Sequence, residues 1–197
     1  MAEFIAEYGS IILAAIKDTL IMVVLSTGFG YLLGIPLGIV AYVTDHGSIS
    51  ENAVVNTVVG WFINIVRSIP FIILILFLVP YTRLIMGTAS GTRGVIFPLV
   101  ISAAPFIARM VESSFNELDS GVIESARAMG ATNLQIIWKV LLPESFPSLL
   151  RGMGIATITI VGYIAMAGMV GGGGLGAVAI NYGYYRYERT VMTVTVV

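Results

Sequence analysis

Few residues in this chain could carry chemistry, so those set the first question. There is no cysteine, which excludes thiolate catalysis, disulfides and cysteine-ligated metals. The only histidine, His46, lies in the polar stretch TDHGS and reads as a solvated loop residue. A Ser/His/Asp triad would rest on it alone. Lys17 and Lys139 lack the glycine pattern before them and the Ser or Thr after them that a phosphate-binding Walker loop requires. ATP hydrolysis is therefore not expected of this chain, and energy must come from a partner or an ion gradient. The run GGGGLG, Gly171 to Gly176, matches a dinucleotide fingerprint only formally. The next acidic residue is Glu188, twelve positions on, and no strand precedes the run. It reads instead as a flexible helix end where backbone bends or moves. Arg67 is different: with Ser68 and Pro70 it interrupts an otherwise apolar run. A charge at such depth is costly and usually faces a bundle interior or a watery cavity. A structural ion pair, or an arginine snorkelling from a helix end, is the competing reading.

The elements that must position these residues are membrane helices. The chain has 197 residues, 57% hydrophobic and 11% charged, with mean hydropathy +0.96. Soluble domains carry about 25% charged residues. The fold class is therefore all-α and polytopic, a single transmembrane domain over 1–197. Spans are expected near 19–43, 54–79, 94–111 and 153–170, with the start of a fifth, truncated one from 191. Ahead of the first span, Phe4, Ile5, Tyr8, Ile11 and Ile12 recur as a helix stripe. That pattern predicts a short interfacial helix, and Glu3 and Glu7 argue against a signal peptide. Within the first span Ser26, Gly30, Gly34 and Gly38 recur every fourth residue. This small-residue face lets a second helix approach closely, either within the chain or from another subunit. The net charge of −1 offers no footprint for nucleic acid. The spans contain no Asp or Glu, which argues against a secondary transporter, where intramembrane carboxylates couple ions to substrate. Lys/Arg counts of four on one side and five on the other leave orientation open. The sequence NYGYYRY suits a membrane interface or contact with a binding protein.

The longest polar stretch, 112–151, contains ESARAMGATNLQIIWKVLLP, Glu124 to Pro143. Val122, Ile123, Ala126 and Met129 fall on one helical stripe. Gly130 ends that helix, Thr132 caps a new one with Leu134, Ile137, Val140 and Leu141 on its apolar face, and Pro143 stops it. Such an element can rest one face on the membrane domain and offer the other to something outside.

The segment resembles the loop of bacterial ABC-importer permeases with the form E-A-A, three residues, G, nine residues, I, any residue, L-P. Glu124, Ser125 and Ala126, then Gly130, Val140, Leu142 and Pro143, fall at those spacings, with Ser125 and Val140 as the departures. The blocks VRSIPFIILIL, APFIARMVE, ARAMGATNLQI, KVLLPE and VGGGGLGAVAINYGYY extend the likeness from about Asp18 to Val197, toward permeases of the methionine uptake family. The resemblance implies a type I importer permease of about five transmembrane helices in the bacterial inner membrane, translocating L- and D-methionine by alternating access. Another amino acid, or an ion-gradient-driven secondary transporter, is the alternative. It implies a cytoplasmic coupling helix formed by Glu124, Ser125, Ala126, Arg127, Gly130, Ala131, Val140, Leu142 and Pro143. The pathway or gate would use Arg67, Ser68, Pro70, Met110, Tyr163 and Met166. The implied partners are a second copy of the chain, a dimer of ATP-binding subunits that hold ATP and Mg, and a periplasmic substrate-binding lipoprotein. The chain itself would carry no cofactor.

Overall fold

The computed structural model describes residues 2–196. Met1, Val197 and the side chains of Ala2, Glu3 and Ile5 lie outside the described residues, so the expectations that fall on them are not addressed. Among the described residues ten α-helices form: α1 (Ala2–Val43), α2 (Ala53–Ser68), α3 (Phe71–Phe77), α4 (Val79–Met86), α5 (Gly91–Asn116), α6 (Ser120–Ala128), α7 (Asn133–Ile136), α8 (Leu142–Ala167), α9 (Gly174–Val178) and α10 (Arg189–Val196). Among the described residues there is no strand. Wide, π-type turns at Ile137–Leu141 and Ala179–Tyr184 extend α7 and α9, and one 3₁₀ turn at Gly168–Val170 extends α8. Among the described residues three helical stretches are long and apolar enough to cross a membrane, and four if the broken pair α2 and α3 counts as one. The separate interfacial helix expected at the N-terminus does not form. Its stripe is instead the first turns of α1, because no proline lies between Tyr8 and Thr19 and the helix runs on through Gly9.

The chain divides into two compact units, one of Met1–Phe29, Ile69–Ser102 and Thr157–Val197, the other of Gly30–Ser68 and Ala103–Ala156. In the first unit Ile12, Ala15, Val178 and Val191 form a core with Tyr8 and Tyr182 packed against it. Ser26 is fully buried there. The glycine run bends as expected, with Gly171 at φ 85°, and it is also close-packed. The Gly91 amide donates to the Gly171 carbonyl at 2.8 Å, and the Leu175 amide to Thr19 Oγ1 at 2.9 Å. A Cβ at Gly173 would lie 2.6 Å from Thr92 Oγ1, and one at Gly168 would strike the Gly176 backbone. The glycines are needed for space as much as for backbone freedom. The following tyrosine segment projects outward, with Tyr187 85% exposed.

The second unit explains the small-residue face of α1. A Cβ on Gly34 would sit 2.8 Å from the Ala104 carbonyl oxygen, and one on Gly38 2.5 Å from that of Ala108. A Cβ on Gly30 would meet the Ala103 and Ile107 side chains at 3.0 Å. Here α1 and α5 meet backbone to backbone, the contact that small residues permit in lipid, with Ala41, Ile63 and Ala108 buried beside it.

Since nothing can shift to relieve a carbonyl contact, Gly38→Ala is expected to destabilise the purified protein by about 1–3 kcal/mol. Gly28→Ala, where a Cβ meets open space, is expected to be neutral or slightly stabilising. Thermal unfolding in detergent with retained monodispersity measures both.

Candidate functional site

The polar segment is a fully capped helix–turn–helix. Asp119 begins α6, its carboxylate accepting from the Gly121 amide at 2.7 Å. The helix ends in a paired closure: the Ala131 amide donates to the Ala126 carbonyl at 3.0 Å and the Gly130 amide to that of Arg127 at 2.9 Å. This closure needs a residue in the left-handed region at its turn, and Gly130 supplies it with φ 79°. Nothing lies within 4 Å of a Cβ built there, so in this chain the glycine serves conformation, not space. Thr132 then opens α7 with a reciprocal box: Thr132 Oγ1 accepts from the Gln135 amide and Gln135 Oε1 from the Thr132 amide.

The outward face differs from the stripe read from the sequence. Ala126, Ile136 and Leu141 are buried, whereas Met129 is 82%, Leu134 67% and Trp138 66% exposed. Periodicity locates an apolar face but cannot say which apolar residues find partners within the chain. Beside Gly130 lies a cavity of about 450 Å³ lined by Ala126, Met129, Ala131, Gln135, Lys139 and Val140. Glu124 and Ser125 are exposed, and Ser125 Oγ donates to the Gly121 carbonyl. Arg127 reaches the Ser48 carbonyl at 3.4 Å.

Pro143 does not stop the helix, a correction to the sequence reading. The Leu142 amide donates to the Ile137 carbonyl, five residues back, in the wide turn Ile137–Leu141. That added residue per turn lets the chain pass a proline that has no amide to donate. Leu142 and Pro143 are thus the first residues of α8, and helix continues unbroken from Asn133 to Ala167.

Arg67 is also placed differently. The apolar run breaks after Ser68, because Pro70 disfavours helical backbone at Ile69 and itself begins α3. Arg67 therefore stands in the last turn of α2, where its charge favours the helix C-terminus. Its guanidinium lies 6.0 Å from the Phe106 ring centroid. Both line a second cavity of about 450 Å³ in the same unit. On its α5 wall, Arg109 grips Glu112 through both carboxylate oxygens at 2.7 and 2.8 Å and donates to Asn64 Oδ1 at 2.8 Å. At the end of α5, Glu117 accepts from Ser148 Oγ at 2.8 Å and faces Arg151 at 3.8 Å. Met110 lines this cavity with Arg67, but Pro70, Tyr163 and Met166 belong to the other compact unit. There Tyr163 stacks on Phe71 at 4.7 Å and Met166 is exposed. Ser68 spends its hydroxyl on the Asn64 carbonyl. The sequence reading missed the Arg109–Glu112 and Glu117–Arg151 pairs. The first stood at helical spacing, i to i+3, whereas the second joins residues far apart in sequence.

Comparison with known proteins gives this architecture its family. The model of the binding-protein-dependent transport system inner-membrane component matches residues 34–197. A probable D-methionine transport system permease protein MetI of Vibrio cholerae is 48% identical over 197 residues, covering all of this chain and 88% of that protein. The chain belongs to this family. The D-methionine transport system permease protein MetI of Escherichia coli is 48% identical over 158 residues, 80% of this chain and 73% of that one. A solved structure of the MetNI methionine ABC transporter in an inward-facing conformation matches with TM-score 0.92 and 48% identity, over 93% of this chain and 85% of that one. An amino acid ABC transporter solved with histidines shares the fold, with TM-score 0.77 at 18% identity.

As a member of this family of inner-membrane transport components the chain is a permease of the type I fold and not itself an enzyme. Its exposed polar helix–turn–helix depends on its caps. Gly130→Ala is expected to cost about 1–2 kcal/mol for forcing a Cβ into the left-handed region, with Gly130→Asn costing less. Thr132→Ala costs about 1 kcal/mol. Hydrogen exchange at the Gly130, Ala131 and Gln135 amides reads these losses directly as faster exchange.

Proposed function

We propose that this chain is the membrane-spanning subunit of an ATP-driven importer for methionine, taking both the D- and L-forms, in the bacterial inner membrane. The observation that carries the reading is the capped segment Asp119–Leu141, which offers Met129, Leu134 and Trp138 around the cavity at Gly130 in a chain of the importer-permease family. An exposed apolar patch of this kind marks a protein–protein contact. The contact is with an ATP-binding subunit, which holds ATP and Mg, so the segment is cytoplasmic. Glu124, Ser125, Arg127, Gly130 and Ala131 form the near part of the docking surface, while Val140, Leu142 and Pro143 carry it into α8. Two copies of the chain enclose one pathway, with two ATP-binding subunits on the cytoplasmic side and a substrate-binding lipoprotein on the periplasmic side. The names of the relatives, D-methionine permeases and a methionine ABC transporter, support the substrate.

ATP closes the ATPase pair, which binds one arrangement of the permease better than the other and so shifts its population. Alternating access follows from that shift. Arg67, Ser68, Pro70, Met110, Tyr163 and Met166 are assigned to the pathway and its gate.

Reconstituted with its ATPase and binding protein, the chain is expected to accumulate labelled methionine in an ATP-dependent, vanadate-sensitive manner. Gly130→Arg and Glu124→Lys should abolish or sharply reduce uptake and weaken co-purification of the ATPase. Uptake that survives without ATP, or variants that keep both properties, would remove the docking assignment.

A further inference from the structure

We infer that the cavity between the end of α2, the second half of α5 and the start of α8 is a subsite for a free amino acid whose carboxylate is held by Arg67. This rests on the permease reading above and adds the chemistry by which the pathway engages its substrate. The cavity's 450 Å³ suits a ligand of amino-acid size, near the lower end of small-molecule sites. Its charged groups are not equivalent. Arg109 is committed to Glu112 and Asn64, and Arg151 faces Glu117. Among the described residues Arg67 forms no ion pair, and its guanidinium lies beside the Phe106 ring. A planar guanidinium with its donors free is the group best matched to a carboxylate, which it can bind through two parallel bonds.

The walls supply the rest of the selection. Phe106, Met110 and Ile155 present apolar surface, fitted to an unbranched apolar side chain, and Met110 is soft enough to adapt to it. Glu117 is the one acidic residue on the lining. It is engaged by Ser148 and Arg151 at the far end of the lining, which leaves Arg67 as the unpaired charge. The cavity therefore sets a free cation beside an apolar wall, which suits the carboxylate and the side chain of an amino acid. A neutral or purely cationic ligand would leave Arg67 without a counter-charge.

The chain has no cysteine, so Ser113→Cys, on the cavity lining, introduces a unique reporter thiol. In the complex with its ATPase, L-methionine is expected to slow maleimide labelling of that thiol. L-methioninol, which has the same side chain and ammonium but no carboxylate, should not. Adding Arg67→Gln should weaken the methionine protection roughly tenfold or more, as for a lost charge-assisted bond, while Arg67→Lys retains part of it. Equal protection by methioninol, no protection by methionine, or full protection after Arg67→Gln would each overturn the subsite. If Arg67→Gln does not fold, the methionine–methioninol comparison decides alone. ATP-driven uptake separates the two levels of the argument. Reduced uptake with unchanged protection leaves Arg67 in the pathway and removes the carboxylate subsite, whereas unchanged uptake and protection remove both.

Discussion

In hydrocarbon every backbone amide and carbonyl must find a partner inside the protein, and this demand shapes the chain more than any side-chain contact. It fixes long helices wherever the sequence is apolar, and it makes every interruption expensive. The interruptions that exist are therefore placed and compensated. At Pro70 the new helix begins on the proline, with the Ile73 and Leu74 amides returning to its carbonyl at 2.9 and 3.0 Å. At the glycine run, bonds from Gly91, Gly172 and Leu175 close the open positions. At Gly130, in the polar segment outside the spans, a paired closure satisfies the helix end. Arg67, Ser68 and Pro70 stand at the first of these breaks and Gly130 at the last, where backbone geometry is not interchangeable.

The wide turn before Pro143 has the largest consequence for how the parts work together. Had the proline ended the helix, the outward segment would have been a separate element tied to the membrane helices by a flexible joint. Instead α7 passes through Ile137–Leu141 into α8. The same helix presents Leu134 and Trp138 outward and places Arg151, Gly152 and Ile155 on the cavity wall. On the docking proposed above, one helical stretch would link the contact with the ATP-binding subunit to the wall that faces Arg67. The cavity and the segment also belong to one compact unit.

What could be read in the sequence was local. The helix end at Gly130 and the cap at Thr132 were legible because each depends on one residue's conformational or hydrogen-bonding preference. The four-residue rhythm of Gly30, Gly34 and Gly38 announced close packing, but its partner, Ala104 and Ala108 of α5, lies some seventy positions away and left no mark near the glycines. Pro143 misled because a proline's cost in a regular helix says nothing of a helix with an added residue in the preceding turn. Arg67 misled for the complementary reason: hydropathy merged α2 and α3 into one run, and only the backbone restriction before Pro70 moves the arginine to a helix end. Met129 and Leu134 belong to apolar stripes, and their exposure follows from tertiary packing alone.

Docking of an ATP-binding subunit on the segment around Gly130 is the central proposal. Met129 and Tyr187 are equally accessible in the chain, at 82% and 85% exposure, so accessibility alone does not favour either. A photo-cross-linking amino acid placed at each position in turn, in intact membranes containing the whole transporter, tests the claim most directly. The account predicts a cross-link to the ATP-binding subunit from position 129 and none from position 187. A cross-link to that subunit from position 187, or its absence from 129 in an assembled complex, would contradict it.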